Sequence, residues 1–108
     1  GRALDQPGLL EDQAAAVRLF RHAAGLGNAI AQNRLAKLYQ AGIGVPPDAV
    51  EAAAWHLAAR AQGLNDPALD AALARLTPEQ GARAAQRAAD RIEGAALTAL
   101  TMSPQPSK

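Results

Sequence analysis

Apolar residues recur every three or four positions along most of the chain, which is the spacing of one face of an α-helix. Strand-forming residues are scarce, and the apolar positions fall in blocks separated by glycine and proline. Two blocks carry the clearest helical faces: Ala31, Leu35, Leu38 and Tyr39 in the first, and Ala52, Trp55 and Ala59 in the second. The pattern therefore predicts amphipathic helices that pack against one another.

Stop and cap signals divide the chain into five predicted helices. They cover about residues 13–24, 29–40, 48–63, 66–76 and 77–92. Asp48, Asp66 and Thr77 stand where a side-chain oxygen caps the first free N–H groups, and Pro67 and Pro78 occupy first helical positions. The predicted helical domain is residues 1–93, followed by a flexible tail over 94–108. The connections are short, so sequential helices are expected to be antiparallel neighbours.

An internal repeat supports this division. A shift of 36 residues superposes Gly8 on Gly44, Asp12 on Asp48 and Gly27 on Gly63, matching a turn, a cap and a helix stop in order. A shift of 38 residues carries the repeat on to Leu73 and Leu76. A period of this length is typical of helix-pair repeats.

Composition narrows the class of protein. The chain has 108 residues, of which 49% are hydrophobic but only 3% aromatic, and much of the apolar share is alanine, the strongest helix former. We expect an all-α protein stabilised by close helix approach. An arginine and alanine bias of this kind is compatible with a GC-rich bacterial source.

Charge and missing residue types exclude several functions. The net charge of +1 gives no general attraction to nucleic acid, and the absence of cysteine excludes disulfides and thiolate metal sites. No apolar run is long enough for a membrane span. The chain begins at Gly1 and its one methionine is Met102. We therefore expect a processed chain or a fragment, with any export signal upstream.

The stretch "LAKLYQAGIGVPPDAVEAAAWHLAARAQG" resembles a Sel1-like repeat, with Ala36 in place of the usual glycine and His56 where an aromatic residue is common. The resemblance covers residues 8–63, while 64–92 resemble a diverged closing helix pair. It rests on a leucine–tyrosine start, a glycine–valine turn, an aspartate, a tryptophan and a closing glycine, here Leu35, Leu38, Tyr39, Gly42, Gly44, Val45, Asp48, Ala52, Trp55, Ala58, Ala59, Gln62 and Gly63.

The resemblance implies a right-handed α-α superhelix related to tetratricopeptide arrays, here of about five helices. It also implies a scaffold for protein–protein interaction, of the kind found in bacterial signalling or envelope assemblies. From the residues themselves we expect a non-enzymatic module without a cofactor. The compartment stays open between cytoplasm and periplasm. Some members of the family are rich in cysteine, and this chain departs from that pattern.

The expected partner-binding surface is the concave one, lined by the first helix of each pair. Assigning the core positions of residues 29–40 leaves the polar residues of this helix more exposed, and the repeat aligns Arg75 with Lys37. Together these residues form a mildly basic groove that suits an extended acidic peptide. These residues are Asn33, Arg34, Lys37, Gln40 and Arg75.

Alternatives remain from the same residues. His22 and His56 lack the neighbouring donors that a metal site needs, and no nucleophile or phosphate-loop motif supports an enzyme or a sensor. Arg83, Arg87 and Arg91 form a basic stripe, interpreted as the solvated face of a closing helix rather than a site for an acidic partner or nucleic acid. The first predicted helix lacks a partner on one face, which favours self-association at the N-terminal end or a purely structural oligomerisation role.

Overall fold

A computed structural model describes residues 8–102, and all regular secondary structure in this range is helical. The five helices are α1 (Gly8–Gly25), α2 (Ala29–Ala41), α3 (Ala49–Ala61), α4 (Pro67–Ala74) and α5 (Pro78–Met102). The predicted all-α class is confirmed, as is the number of helices in the described range.

Local sequence determines where most helices begin. Asp48 and Asp66 each accept hydrogen bonds from two backbone N–H groups at the starts of α3 and α4. The predicted cap Thr77 and Gln80 exchange side-chain and backbone hydrogen bonds before α5, which together form a reciprocal capping box. Asn28, which the sequence analysis did not identify as a cap, accepts from the backbone N–H of the third helical residue of α2.

The prediction was wrong about the end of α5. This helix continues through Gly94 to Met102 instead of ending near Ile92. A glycine inside a helix costs only about 1 kcal/mol relative to alanine, and the alanine- and leucine-rich residues that follow favour helix. Residues 94–102, which the sequence assigned to a flexible tail, are therefore helical, while 103–108 and 1–7 lie outside the described residues.

Helix α3 is the centre of the packing. It contacts α2, α4 and α5, whereas α1 packs mainly against α2. Eight of the thirteen residues of α3 are buried: Val50, Ala52, Ala53, Ala54, Trp55, His56, Ala58 and Ala59. Because most of these side chains are a single methyl group, three neighbouring helices can approach the α3 backbone closely.

The larger apolar side chains fill the space between helices in two clusters. In the first, Trp55 of α3 lies with Leu35 of α2 and Val17 of α1, and Phe20 packs against them. In the second, between α3 and α5, Val50 and Ala53 contact Ala84, with partly buried leucines around them. Trp55 and Phe20 thus occupy the gaps that alanine leaves between the helices.

The turn between α2 and α3 packs tightly against α1. Gly42 and Gly44 both have positive φ angles, 73° and 77°. The Gly42 N–H donates to the carbonyl of Leu38 and so closes the C-terminus of α2. A Cβ at Gly44 would lie 2.8 Å from the carbonyl oxygen of Gln13 and equally close to a methyl of Val17. This turn therefore sets the position of α1 relative to α2.

We expect Gly44→Ala to lower the free energy of unfolding by about 2–4 kcal/mol, because it adds both left-handed backbone strain and overpacking against α1. Gly63→Ala is the matched control, since Gly63 has a φ of 94° with nothing within 4 Å of its added Cβ. It should cost only about 1 kcal/mol of backbone strain. Urea unfolding of the parent chain and the two variants measures these free energies. Equal losses of free energy in the two variants would show that the turn does not fix the position of α1.

Candidate functional site

One side of α2 stays exposed along its whole length. Its residues Ile30, Arg34, Lys37 and Ala41 follow a helical spacing of four, three and four positions, and all four are exposed. Beside the second half of this face lies α4, and between the two helices runs an open groove of about 490 Å³. The groove is lined by Lys37, Gln40, Ala41, Ala68, Leu69, Ala71, Ala72 and Arg75.

The groove joins a floor of small apolar side chains to a polar, cationic margin. Alanines from both helices and the buried Leu69 form the floor, while Lys37 and Gln40 stand on α2 and Arg75 caps the end of α4. Three of the five predicted site residues, Lys37, Gln40 and Arg75, are thus brought together by the fold. Arg34 is exposed on the same face of α2 but lies outside the lining of the groove.

Asn33 does not belong to this exposed surface. It was expected to be exposed, but it is only 8% exposed, and its Nδ2 donates to Oδ2 of Asp66 at 3.0 Å. Helical spacing assigned Asn33 to the exposed side of α2, but it could not show that the start of α4 covers this residue. Its role in the structure is to hold α4 against α2.

Asp66 is the centre of this connection. Its Oδ1 caps α4, while its Oδ2 accepts from Asn33 and lies 3.2 Å from Nζ of Lys37. The hydrogen bond from Asn33 is the main reason why the pKa of Asp66 falls to about 2; the Leu69 N–H and Lys37 lower it further, and burial opposes them. One carboxylate therefore joins the two walls of the groove.

A second carboxylate joins α4 to α3. Oδ1 of Asp70 lies 2.6 Å from Nε2 of His56, which is completely buried, and accepts from Arg60 at 3.0 Å. These two hydrogen bonds, His56 first, lower the pKa of Asp70. The sequence indicated only that His56 lacks the neighbours of a metal site, and its partner Asp70 was not predicted. No local signal pointed to this pair, because His56 and Asp70 are fourteen positions apart and lie on different helices.

The interpretation of the arginine stripe on α5 was wrong for two of its members. Arg87 and Arg91 both bind the carboxylate of Glu51 on α3, and the guanidinium of Arg91 lies 4.4 Å from the centre of the Trp55 ring. These arginines attach α5 to α3 instead of forming a solvated face, because Glu51 is within their reach. Arg83 is exposed, as predicted.

Two general findings complete the description of residues 8–102. No cluster of three or more histidine, aspartate and glutamate side chains in this range is arranged to hold a metal ion. None of the described helices combines the length and the apolar character that crossing a bilayer requires.

Asp66 predicts an acid-sensitive contribution to stability. Because folding lowers its pKa from 3.8 to about 2, the ionised form stabilises the folded state, on the order of 2 kcal/mol, above about pH 4. That contribution is lost as the pH falls towards 2. In Asp66→Asn, which cannot titrate, the free energy of unfolding should fall less steeply over this range than in the parent chain.

Urea unfolding at a series of pH values provides the measurement. Asp12→Asn, at an exposed position of α1, is the control and should keep the slope of the parent chain. If Asp66→Asn shows the parent's full acid dependence, Asp66 does not carry the interaction described here.

No protein-family model, curated protein or solved structure matches this chain. The fold class therefore rests on the helices themselves, and the resemblance to Sel1-like repeats rests on the motif residues between Leu35 and Gly63. Membership of that family stays a prediction.

Proposed function

We propose that the chain is a non-enzymatic protein-binding module, built as a short Sel1-like α-α superhelix, that binds an acidic segment of a partner protein along α2 and α4. The observation that carries the proposal is the groove of about 490 Å³ in which Lys37, Gln40 and Arg75 surround an apolar floor. Such a site offers hydrogen-bond donors at its margin and a surface for small apolar side chains beneath them.

The size of the groove fits a short peptide segment. Its volume falls within the range of ordinary ligand sites. The alanines that α4 contributes to the floor, Ala68, Ala71 and Ala72, have no side chain beyond Cβ, so a peptide backbone can approach the helix. Beyond the groove, Arg34 and Ile30 continue the same face of α2. A segment lying along α2 would meet a basic and then an apolar side chain.

Local charge supports an acidic partner although the whole chain is nearly neutral. Lys37 shares its charge with Asp66. Neither Arg34 nor Arg75 forms an ion pair within residues 8–102. Their charges are available to carboxylates of a partner, which improves the rate and the specificity of association.

A second candidate is a structural role in self-association at the N-terminal end. Leu19 of α1 is 73% exposed and Ile30 of α2 is 62% exposed. Contact with a second copy would remove these apolar side chains from water, which is favourable. This is the end of the helical array where the sequence predicted an uncovered face of the first helix.

The test is selection from a random library of displayed linear peptides with the purified chain as bait. We expect the selected sequences to be enriched in aspartate and glutamate next to small apolar residues. The double variant Arg34→Glu, Arg75→Glu should bind the selected peptides at least about tenfold more weakly, because two attractive contacts become repulsive.

Arg18→Glu, which reverses a charge at an exposed position of α1, is the matched control and should bind as the parent chain does. Circular dichroism and thermal unfolding verify that all the variants are folded. Peptides that lack acidic residues, or acidic peptides that bind the double variant as tightly as the parent, would contradict the proposal.

A further inference from the structure

The contacts of Asp66 fix how α4 lies along α2. Its Oδ2 atom accepts from Asn33 and lies 3.2 Å from Nζ of Lys37, so the start of α4 stands at a level midway between those two residues of α2. Further along both helices, Gln40 of α2 and Ala72 of α4 line the same narrow recess. The two helices therefore run in the same direction along the groove.

This register gives the level of each polar residue along the groove. An α-helix rises about 1.5 Å per residue. Arg75, nine residues beyond Asp66 at the end of α4, stands near one end of the groove, and Arg34 stands near the other, beside the start of α4. The two arginines are thus about 15 Å apart along the helix axes, and Gln40 lies about midway between them.

The free positive charges of this surface stand at its two ends. Arg34 and Arg75 are exposed, and neither forms an ion pair within residues 8–102. Lys37, which lies between them, already pairs with Asp66. An arginine can bind a carboxylate through two parallel hydrogen bonds. A partner therefore gains most from two carboxylates that reach the two ends at the same time.

Between the arginines, the groove offers an amide instead of a free charge. Gln40 is exposed at the groove, and its side chain forms no hydrogen bond within residues 8–102. A side-chain amide carries both donors and an acceptor, which match the N–H and C=O of a peptide group. An extended segment has these groups free, whereas a helical segment has most of them paired internally. The groove therefore favours an extended segment.

We propose that the groove selects extended segments in which two acidic residues stand about four or five positions apart, one bound by Arg34 and the other by Arg75. An extended chain advances about 3.3 Å per residue, so about 15 Å spans this number of positions. The same distance would span about ten positions of a helix. The inference rests on the proposed peptide-binding function and adds which acidic segments fit the site.

Synthetic peptides of one length, each with two aspartates in a background of alanine, glycine and serine, are the probes. The spacing of the aspartates covers both the extended and the helical expectation, from about two to about twelve positions. Fluorescence anisotropy measures the dissociation constant of each peptide with the 108-residue chain. Affinity should be highest at about four or five positions. It should be about tenfold weaker at about two or eight positions, where only one aspartate at a time reaches an arginine.

Arg34→Glu and Arg75→Glu should each remove this preference, so that peptides with two aspartates bind no better than a peptide with one. Arg18→Glu, at an exposed position of α1, is the matched control and should keep the preference. Circular dichroism checks that the variants retain their helices.

An affinity that does not depend on spacing, an optimum near ten positions, or a preference that survives either change at Arg34 or Arg75 would overturn the proposal. In these cases acidic peptides still bind, so the proposed function stands although this inference fails. The absence of binding by every acidic peptide would overturn both.

Discussion

Close contact between α3 and three other helices is the constraint on which the rest of the structure depends. Ala54, Ala58 and Ala59 are completely buried, so any larger side chain there would push a neighbouring helix away. Because α3 touches α2, α4 and α5, it determines how the two walls of the groove stand relative to each other and where α5 presents its outward face. The proposed peptide-binding surface therefore depends on a buried helix that contributes no residue to its lining.

Polar contacts hold α4 in place, because this helix has little apolar packing. Leu69 is the only residue that is buried within α4, a helix of eight residues. The carboxylates of Asp66 and Asp70 add the contacts that fix this helix, one towards α2 and the other towards α3. Buried hydrogen bonds to charged groups are worth more than those between neutral groups, and they have a defined direction. The groove thus owes its shape to side chains that do not line its centre.

Features encoded locally were predictable, and those created by tertiary contact were not. The caps Asp48 and Asp66, and the glycines at positions 42 and 44, act through their immediate neighbours, so their roles could be predicted from the sequence. Asn33 and Arg91 looked solvent-facing by helical spacing, but residues more than thirty positions away cover or bind them. Lys37 and Arg75 could be aligned from the repeat, whereas the contact that places α4 beside α2 required the structure.

The most direct test of the central claim, that α3 holds α2 and α4 as one binding surface, is an NMR titration of the isotopically labelled chain with an acidic peptide selected for binding. The account predicts that amide resonances of α2 around Lys37 and of α4 from Ala68 to Arg75 shift together, with one dissociation constant. Shifts confined to α1 or α5, or shifts on α2 and α4 that follow different binding curves, would contradict it.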